Sequence, residues 1–267
     1  MTGHYLNYRQ GTIYYRKAGS TGPWLLLLHG LAEDHTIWNN LTHDLAKHCR
    51  LLIPDLPGSG RSTVLQPTQA NSNIDELAFA VEAILNAEKI NQCILIGHSM
   101  GGYVALAAAE RFPERIEKLG LFQSTAYADT EEKKQMRYKA IRMVEEYGPE
   151  AIFRETIANN FTPEWKQNNP ELLQQLQGRC HQFSSIAACQ YYQMMASRPD
   201  RTQVLRQFKG PVLLVAGRKD QAVPINHTLE QCQLPESCWF YILENSAHMG
   251  MWEDPGAAVA LISAFIS

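Results

Sequence analysis

Cys93-Ile94-Leu95-Ile96-Gly97-His98-Ser99-Met100-Gly101-Gly102-Tyr103 decides how the rest of this chain is read. An apolar run of strand type feeds into Gly-x-Ser-x-Gly, and the Ala-rich stretch from Tyr103 to Arg111 reads as helix. The order matters because a serine hydroxyl is a poor nucleophile until geometry exposes it and a base removes its proton. A strand-to-helix turn this tight projects the serine from a strained backbone. Gly97 and Gly101 provide flanks without Cβ atoms, and the first N–H groups of the following helix point at negative charge forming nearby.

Working outward, the 267 residues suit one large α/β domain or one domain carrying an insertion. No stretch approaches the roughly 18 uncharged positions of a membrane helix. Met1 to Arg9 lacks the basic-then-apolar plan of a signal peptide, so a cytoplasmic protein with no membrane span is expected. The formal net charge is −3 without a basic cluster, which argues against nucleic acid and leaves a small molecule as the partner. Oligomeric state is not legible. Cys49, Cys93, Cys180, Cys189, Cys232 and Cys238 form no C-x-x-C pair, so reduced, mostly buried thiols are expected, with a Cys232–Cys238 disulfide as the alternative.

The first third alternates apolar runs with helix-like stretches. Gly11 to Gly19 reads as an early hairpin strand, and Trp24 to Leu28 as a strand covered on both faces. Trp38 to Cys49 has helical spacing, Arg50 to Ile53 is a buried strand, and Asn73 to Glu88 a helix. Strand 93–96, helix 102–111 and strand 116–122 continue the rhythm, which predicts a mostly parallel sheet with helices on both faces. After Gln123 the text turns helical: 131–147, 150–161, 163–177 and 181–197. Strands resume at 211–216 and 237–243, and a last helix covers 256–265. A helical insertion therefore interrupts one α/β domain.

A serine nucleophile needs a base, and the base needs a carboxylate to hold one tautomer. Asp220 follows the strand ending Ala216-Gly217, and His248 follows another, each in a loop where open α/β sheets place their ligands. The order Ser99, Asp220, His248 is that of triads built on such sheets. An oxyanion hole needs two backbone donors. The N–H of Met100, directly after Ser99, is one. The N–H of Leu31, where Gly30 lets the chain turn toward the site, is the other. Asp55-Leu56-Pro57-Gly58-Ser59-Gly60-Arg61-Ser62 lacks phosphate-loop spacing and reads as a structural turn near the sheet end. The remaining histidines show no paired metal spacing, so neither metal nor cofactor is expected. Met136, Tyr138, Met143, Phe161, Tyr191, Met194 and Met195 read as inter-helix core, some of them facing a pocket.

Five strings, in order, carry a resemblance: His29-Gly30, Asp55 to Ser62, Gly97 to Gly102, Gly217 to Asp220 with Val223-Pro224, and Ala247 to Glu253. Over nearly its whole length the chain resembles the α/β-hydrolase superfamily. The resemblance implies an eight-stranded, largely parallel sheet with a helical cap inserted after the sixth strand: core 1–123 and 207–267, cap 124–206. It assigns Ser99 as nucleophile, Asp220 as acid, His248 as base, and Leu31 with Met100 as oxyanion donors.

Subfamily rests on details, because one fold hosts many chemistries. Ser99 stands where epoxide hydrolases and haloalkane dehalogenases have Asp, and Ala32 replaces the proline of the epoxide-hydrolase His-Gly-x-Pro. Met249 occupies the position after the histidine where ring-cleavage hydrolases carry Trp and plant-type hydroxynitrile lyases Lys. The lipase-type His-Gly-Gly-Gly is missing. By elimination, the expected activity is hydrolysis of carboxylic esters with small to medium, largely apolar acyl groups. The rivals are a carbon–carbon bond hydrolase or lyase, needing a cationic anchor such as Arg137, Arg142, Arg154 or Arg179, and a slow-turnover ligand receptor.

Overall fold

A computed structural model describes residues 2–65 and 73–267. Strands β1 (Thr2–Tyr8) and β2 (Gly11–Ala18) form an antiparallel hairpin. They are followed by β3 (Trp24–Leu28), β4 (Arg50–Pro54), β5 (Cys93–His98), β6 (Ile116–Phe122), β7 (Val212–Gly217) and β8 (Cys238–Leu243). The sheet runs β1-β2-β4-β3-β5-β6-β7-β8, antiparallel at β1/β2 and β2/β4 and parallel elsewhere.

The helices in chain order are α1 (Asn39–Leu45), α2 (Asp75–Ala87), α3 (Met100–Arg111), α4 (Glu131–Tyr147), α5 (Glu150–Asn159), α6 (Pro163–Asn168), α7 (Pro170–Gly178), α8 (Ser185–Ser197), α9 (Thr202–Gln207), α10 (Ile225–Gln231), α11 (Gly250–Glu253) and α12 (Pro255–Ile266). The unbroken apolar strands are explained by two covered faces. Leu26, Leu28 and Leu95 join a core with α2 and α3, whereas Leu25, Leu27, Ile94 and Ile96 join one with α1 and α12. Each buried leucine contributes about 2 kcal/mol, so a polar residue on either face would disrupt a core.

Helices α4 to α8 lie between β6 and β7. Thr130 caps α4 by accepting from the Lys133 N–H at 3.2 Å, and Gly148, at φ 81°, ends it. Helix α8 reaches the sheet end: the Tyr191 hydroxyl donates to Pro57 O at 2.8 Å and lies 2.9 Å from Ser59 Oγ. Beyond it, the Arg198 guanidinium lies 3.8 Å over the Tyr103 ring and pairs with Asp129 at 2.9 Å, off the line of a good hydrogen bond. Arg201 pairs with Glu110 at 3.0 Å and with Asp75.

Several expected elements shift. The helix expected over 163–177 is two helices, α6 and α7, broken at Asn169-Pro170 because proline lacks an N–H and disfavours helical geometry in the residue before it. The stretch 38–49 becomes a 3-10 turn at His35–Trp38 followed by α1. In 181–197, a 3-10 turn at Cys180–Gln182 precedes α8. Helix α3 begins at Met100, so Ser99 sits at its mouth rather than three residues before it. Strand β1 and helices α9, α10 and α11 have no counterpart among the elements expected from the sequence. Met136 is 65% exposed rather than core. All six cysteines are free, three of them buried, and Cys232 and Cys238 are not bonded to each other. Among the described residues, no helix is long and apolar enough to cross a membrane.

Candidate active site

Parallel strands deliver their C-terminal ends to one side of the sheet, and there the loops after β3, β5, β6, β7 and β8 converge. Ser99 follows β5 with φ 50° and ψ −118°, a left-handed backbone a serine adopts only when its surroundings hold it. The hold is visible. The Ser99 N–H donates to Phe122 O at 3.1 Å, and Ser99 O accepts from the Gly102 N–H at 2.9 Å and the Ser124 hydroxyl at 2.7 Å. A Cβ at Gly97 would strike the Gly101 carbonyl, and one at Gly101 would lie 2.6 Å from His29 O. The two glycines are demanded by close approach.

Asp220, 6% exposed, follows β7. Its Oδ1 accepts from the Ala222 and Val223 N–H groups at 2.8 and 3.0 Å, which leaves Oδ2 to accept from His248 Nδ1 at 2.7 Å. His248 is itself buried. Burial alone would lower its pKa. The Asp220 carboxylate, through charge and hydrogen bond, and then Glu33 and Glu253 outweigh burial, so the pKa is raised above the ordinary histidine value. With Nδ1 facing Asp220, Nε2 is the nitrogen left to exchange a proton. The ring of His98, the residue before Ser99, lies 4.9 Å from that of His248.

The loop carrying His248 is tied at several points. Glu253 Oε2 accepts from the Ala247 N–H at 2.8 Å, the Met249 N–H at 3.2 Å and the Ser246 hydroxyl at 3.0 Å, while Oε1 accepts from the Thr162 N–H at 2.8 Å. The His248 N–H donates to Asn160 O at 2.9 Å. Gln123, buried at φ 50°, donates to Ala247 O and accepts from the Gly250 N–H at 2.8 Å. The segments around Asn160 and Thr162 belong to the insertion, so the base loop and the inserted helices are braced together.

On the other side, His29 Nε2 accepts from the Leu56 N–H at 2.9 Å, which puts its proton on Nδ1, 2.8 Å from Gly30 O. Gly30 abuts the serine: a Cβ there would lie 3.0 Å from Ser99 Cβ. Leu31, the second expected oxyanion donor, follows directly, and the Met100 N–H belongs to the first turn of α3, where helical N–H groups have no partner within the helix. Asp55 is fully buried and accepts from the His35 N–H at 2.8 Å and the Arg61 N–H at 2.9 Å, with His35 Nδ1 at 2.6 Å. The Asp55 to Ser62 string is a structural turn, as its sequence suggests. Asp34, His35 and Asp55 bring potential ligand atoms within 4.8 Å of one another, but those carboxylates are engaged in internal hydrogen bonds.

A pocket with about 50 Å³ of free space is lined in part by Leu31 and Met249. Ile37, Ile157, Phe161, Leu176, Phe183 and Trp252 give it apolar walls, with Glu33, Asp34, Asn160 and Arg179 as polar edges. Of the four arginines considered as anchors, Arg179 alone lines it and donates to Thr36 Oγ1 at 3.0 Å. Arg137 is held by Asp129, and Arg154 by Glu150. Sequence reasoning assigned no role to Glu33, Gln123, Asn160 or Glu253. Glu253 stood inside a quoted string, but nothing in a linear text shows that it folds back onto the backbone around His248.

The sheet order, the strained serine turn and the position of the insertion are those of the α/β-hydrolase fold, and the chain has that fold. Residues 23–140 match the family described as alpha/beta hydrolase fold. A thermophilic esterase from Thermogutta terrifontis, solved with malate bound, superposes with a TM-score of 0.90 at 26% identity, covering 96% of this chain and 93% of that one. The enol-lactonase from Burkholderia xenovorans LB400 has the same fold, with a TM-score of 0.88 at 22% identity over 98% of this chain and 99% of that one. The 2-hydroxymuconate semialdehyde hydrolase of Pseudomonas sp. (strain CF600) is 24% identical over 254 residues, 91% of this chain and 86% of that protein.

Proposed function

We propose that this hydrolase cleaves carboxylic esters of small to medium, largely apolar acyl groups through an acyl-enzyme on Ser99. The observation that carries the reading is the buried His248–Asp220 pair, at 2.7 Å, with the His248 ring 4.9 Å from that of His98, the residue before the strained Ser99. His248 Nε2 takes the Ser99 proton as Oγ bonds to the carbonyl carbon. The carbonyl oxygen becomes an oxyanion beside the N–H groups of Leu31 and Met100. The oxyanion collapses, the ester C–O bond breaks, and His248 returns the proton to the leaving alcohol. Water then attacks the acyl carbon with the same proton route, releasing the acid and restoring Ser99.

The cavity walls support an apolar acyl group, and the similarity to the Thermogutta terrifontis esterase supports ester hydrolysis. Helices α4 to α8, within 124–206, act in this reading as a cap whose underside helps to shape the cavity. Covalent labelling with a fluorophosphonate, followed by an ester, lactone and thioester panel, tests the reading. Wild type should label at Ser99 and turn over repeatedly, and Ser99→Ala should do neither. A Ser99→Ala variant hydrolysing a short p-nitrophenyl ester at the wild-type rate would sink it. One slow event ending in bound product would instead identify a receptor.

A second reading, carbon–carbon bond hydrolysis of a carboxylate-bearing substrate, is favoured by Arg179 at the cavity edge and by the similarity to the 2-hydroxymuconate semialdehyde hydrolase. Met249, in place of the Trp expected of that group, weighs against it.

A further inference from the structure

A buried acid–imidazole pair lies behind the site, outside the Ser99, Asp220 and His248 set. His98 is fully buried, boxed by the rings of Trp38, Phe122 and His248. Its Nε2 lies 2.8 Å from His248 O, and a carbonyl oxygen only accepts, so Nε2 carries a hydrogen and donates it. Its Nδ1 lies 3.0 Å from Glu33 Oε2. That contact is favourable only with a proton between the two atoms, so imidazole and carboxyl group share a net proton that a neutral imidazole facing a carboxylate would lack. The same Oε2 accepts the Gly30 N–H at 2.5 Å. An added Cβ at Gly30 would lie 2.9 Å from Glu33 Oε2, 3.0 Å from Ser99 Cβ and 3.2 Å from His98 Nδ1, which shows how tightly the pieces meet.

Three segments are therefore joined through two side chains. Glu33 grips the peptide one residue before Leu31. His98 immediately precedes Ser99 on the backbone. The His248 carbonyl belongs to the residue carrying the base. We infer that Glu33 and His98 are positioning residues that hold the Gly30–Leu31 N–H groups, the Ser99 turn and the His248 backbone in register for the transition state. Such a network acts at a distance where a displacement of about 1 Å removes around a hundredfold of rate. Hydrogen bonds inside a buried network strengthen one another, while an unmatched member weakens the rest. Charge is consistent with the geometry: burial raises the Glu33 pKa, but His98 and the Gly30 N–H outweigh it, so the carboxyl group is held below its ordinary value.

The inference rests on the ester-hydrolase reading, and the experiment separates their failures. Glu33→Ala removes the link. Glu33→Gln keeps half of it, because an amide oxygen at the shared position still accepts from the Gly30 N–H but offers His98 Nδ1 no carboxylate. For p-nitrophenyl butyrate, Glu33→Ala should lower kcat by about a hundredfold with KM within about twofold. Affinity for an aryl trifluoromethyl ketone, which forms a hemiketal oxyanion with Ser99, should fall in proportion. Glu33→Gln, which keeps the Gly30 contact alone, should fall between Glu33→Ala and wild type in both. A thermal melt of each variant shows whether it is folded. A folded Glu33→Ala enzyme with unchanged kcat and ketone affinity overturns the inference. Should Glu33→Ala not fold, His98→Asn carries the same test: unchanged kcat and ketone affinity overturn the inference, and a kcat loss at constant KM supports it. Wild type that neither labels with a fluorophosphonate nor turns over would defeat the ester-hydrolase reading instead.

Discussion

The two sides of the site are built by different means. On the sheet side, Ser99, Asp220 and His248 are held by hydrogen bonds that engage backbone groups at the strand ends: two N–H groups on Asp220, three contacts around Ser99, and the Gln123 and Glu253 side chains around the histidine. On the inserted side, Phe161, Leu176 and Phe183 contribute apolar surface to the cavity. The insertion itself is uneven. Helix α8 buries Tyr191, Met194 and Met195 against the core, whereas the longer α4 buries Val144 alone. Directional bonds give atoms a defined position, and apolar contact gives shape without one. The contrast teaches that changes on the sheet side should act on kcat and changes on the inserted side on substrate choice.

The contrast is broken most severely at Ser99. Ser99→Ala should remove about a millionfold of kcat, read by ester turnover, while the melt stays near that of wild type because alanine keeps the same Cβ on the same strained backbone. Asp220→Asn should cost about 10,000-fold in kcat, since the imidazole loses its orienting partner. The pH profile carries a related expectation. His248 must be neutral to take a proton and its pKa is raised, so kcat/KM should fall on acidification through an inflection above 6.5. In Asp220→Asn the largest upward influence is gone, and the residual acidic limb should move to lower pH.

Anchoring comes next. Arg198→Ala leaves Asp129 with only Arg137 and removes the contact on Tyr103, so unfolding free energy should drop by about 3 kcal/mol in urea titrations. On the inserted side, Phe161→Ala should change kcat/KM for butyrate and hexanoate esters by about tenfold while acetate esters change little. Equal effects on all chain lengths would erase the proposed division of labour. Smallest is Arg179→Ala, expected to stay within about twofold on neutral esters because the side chain is exposed. A large loss confined to carboxylate-bearing substrates would favour the second reading.

Much of the fold was written in local patterns. Runs such as Trp24–Leu28 and Val212–Gly217 are apolar because helices cover both faces, so their strand character shows without neighbours. Strand β1 did not show, because Thr2-Gly3-His4-Tyr5-Leu6-Asn7-Tyr8 lies at the sheet edge, nowhere fully buried, and carries no sustained apolar alternation. Helices α9 and α10 leave little mark in the sequence because each is short and buries only two residues. The break between α6 and α7 was signalled by Pro170 and outweighed by helical spacing on either side.

The sequence by itself determined the chemistry on offer at the strand ends: a serine between glycines, an aspartate and a histidine in order, and a His-Gly loop ahead of them. Those signals are local, because close backbone approach and strand-to-loop transitions are properties of a few consecutive residues. Tertiary structure alone decided what each group faces. That Asp220 Oδ2 rather than Oδ1 meets His248, that Glu253 folds back on the base loop, that Arg179 reaches the cavity, and that Glu33 and His98 join three segments 65 and 150 residues apart are facts of packing. Hydrogen bonds between distant segments depend on how layers close over one another, and no spacing along the chain encodes that closure.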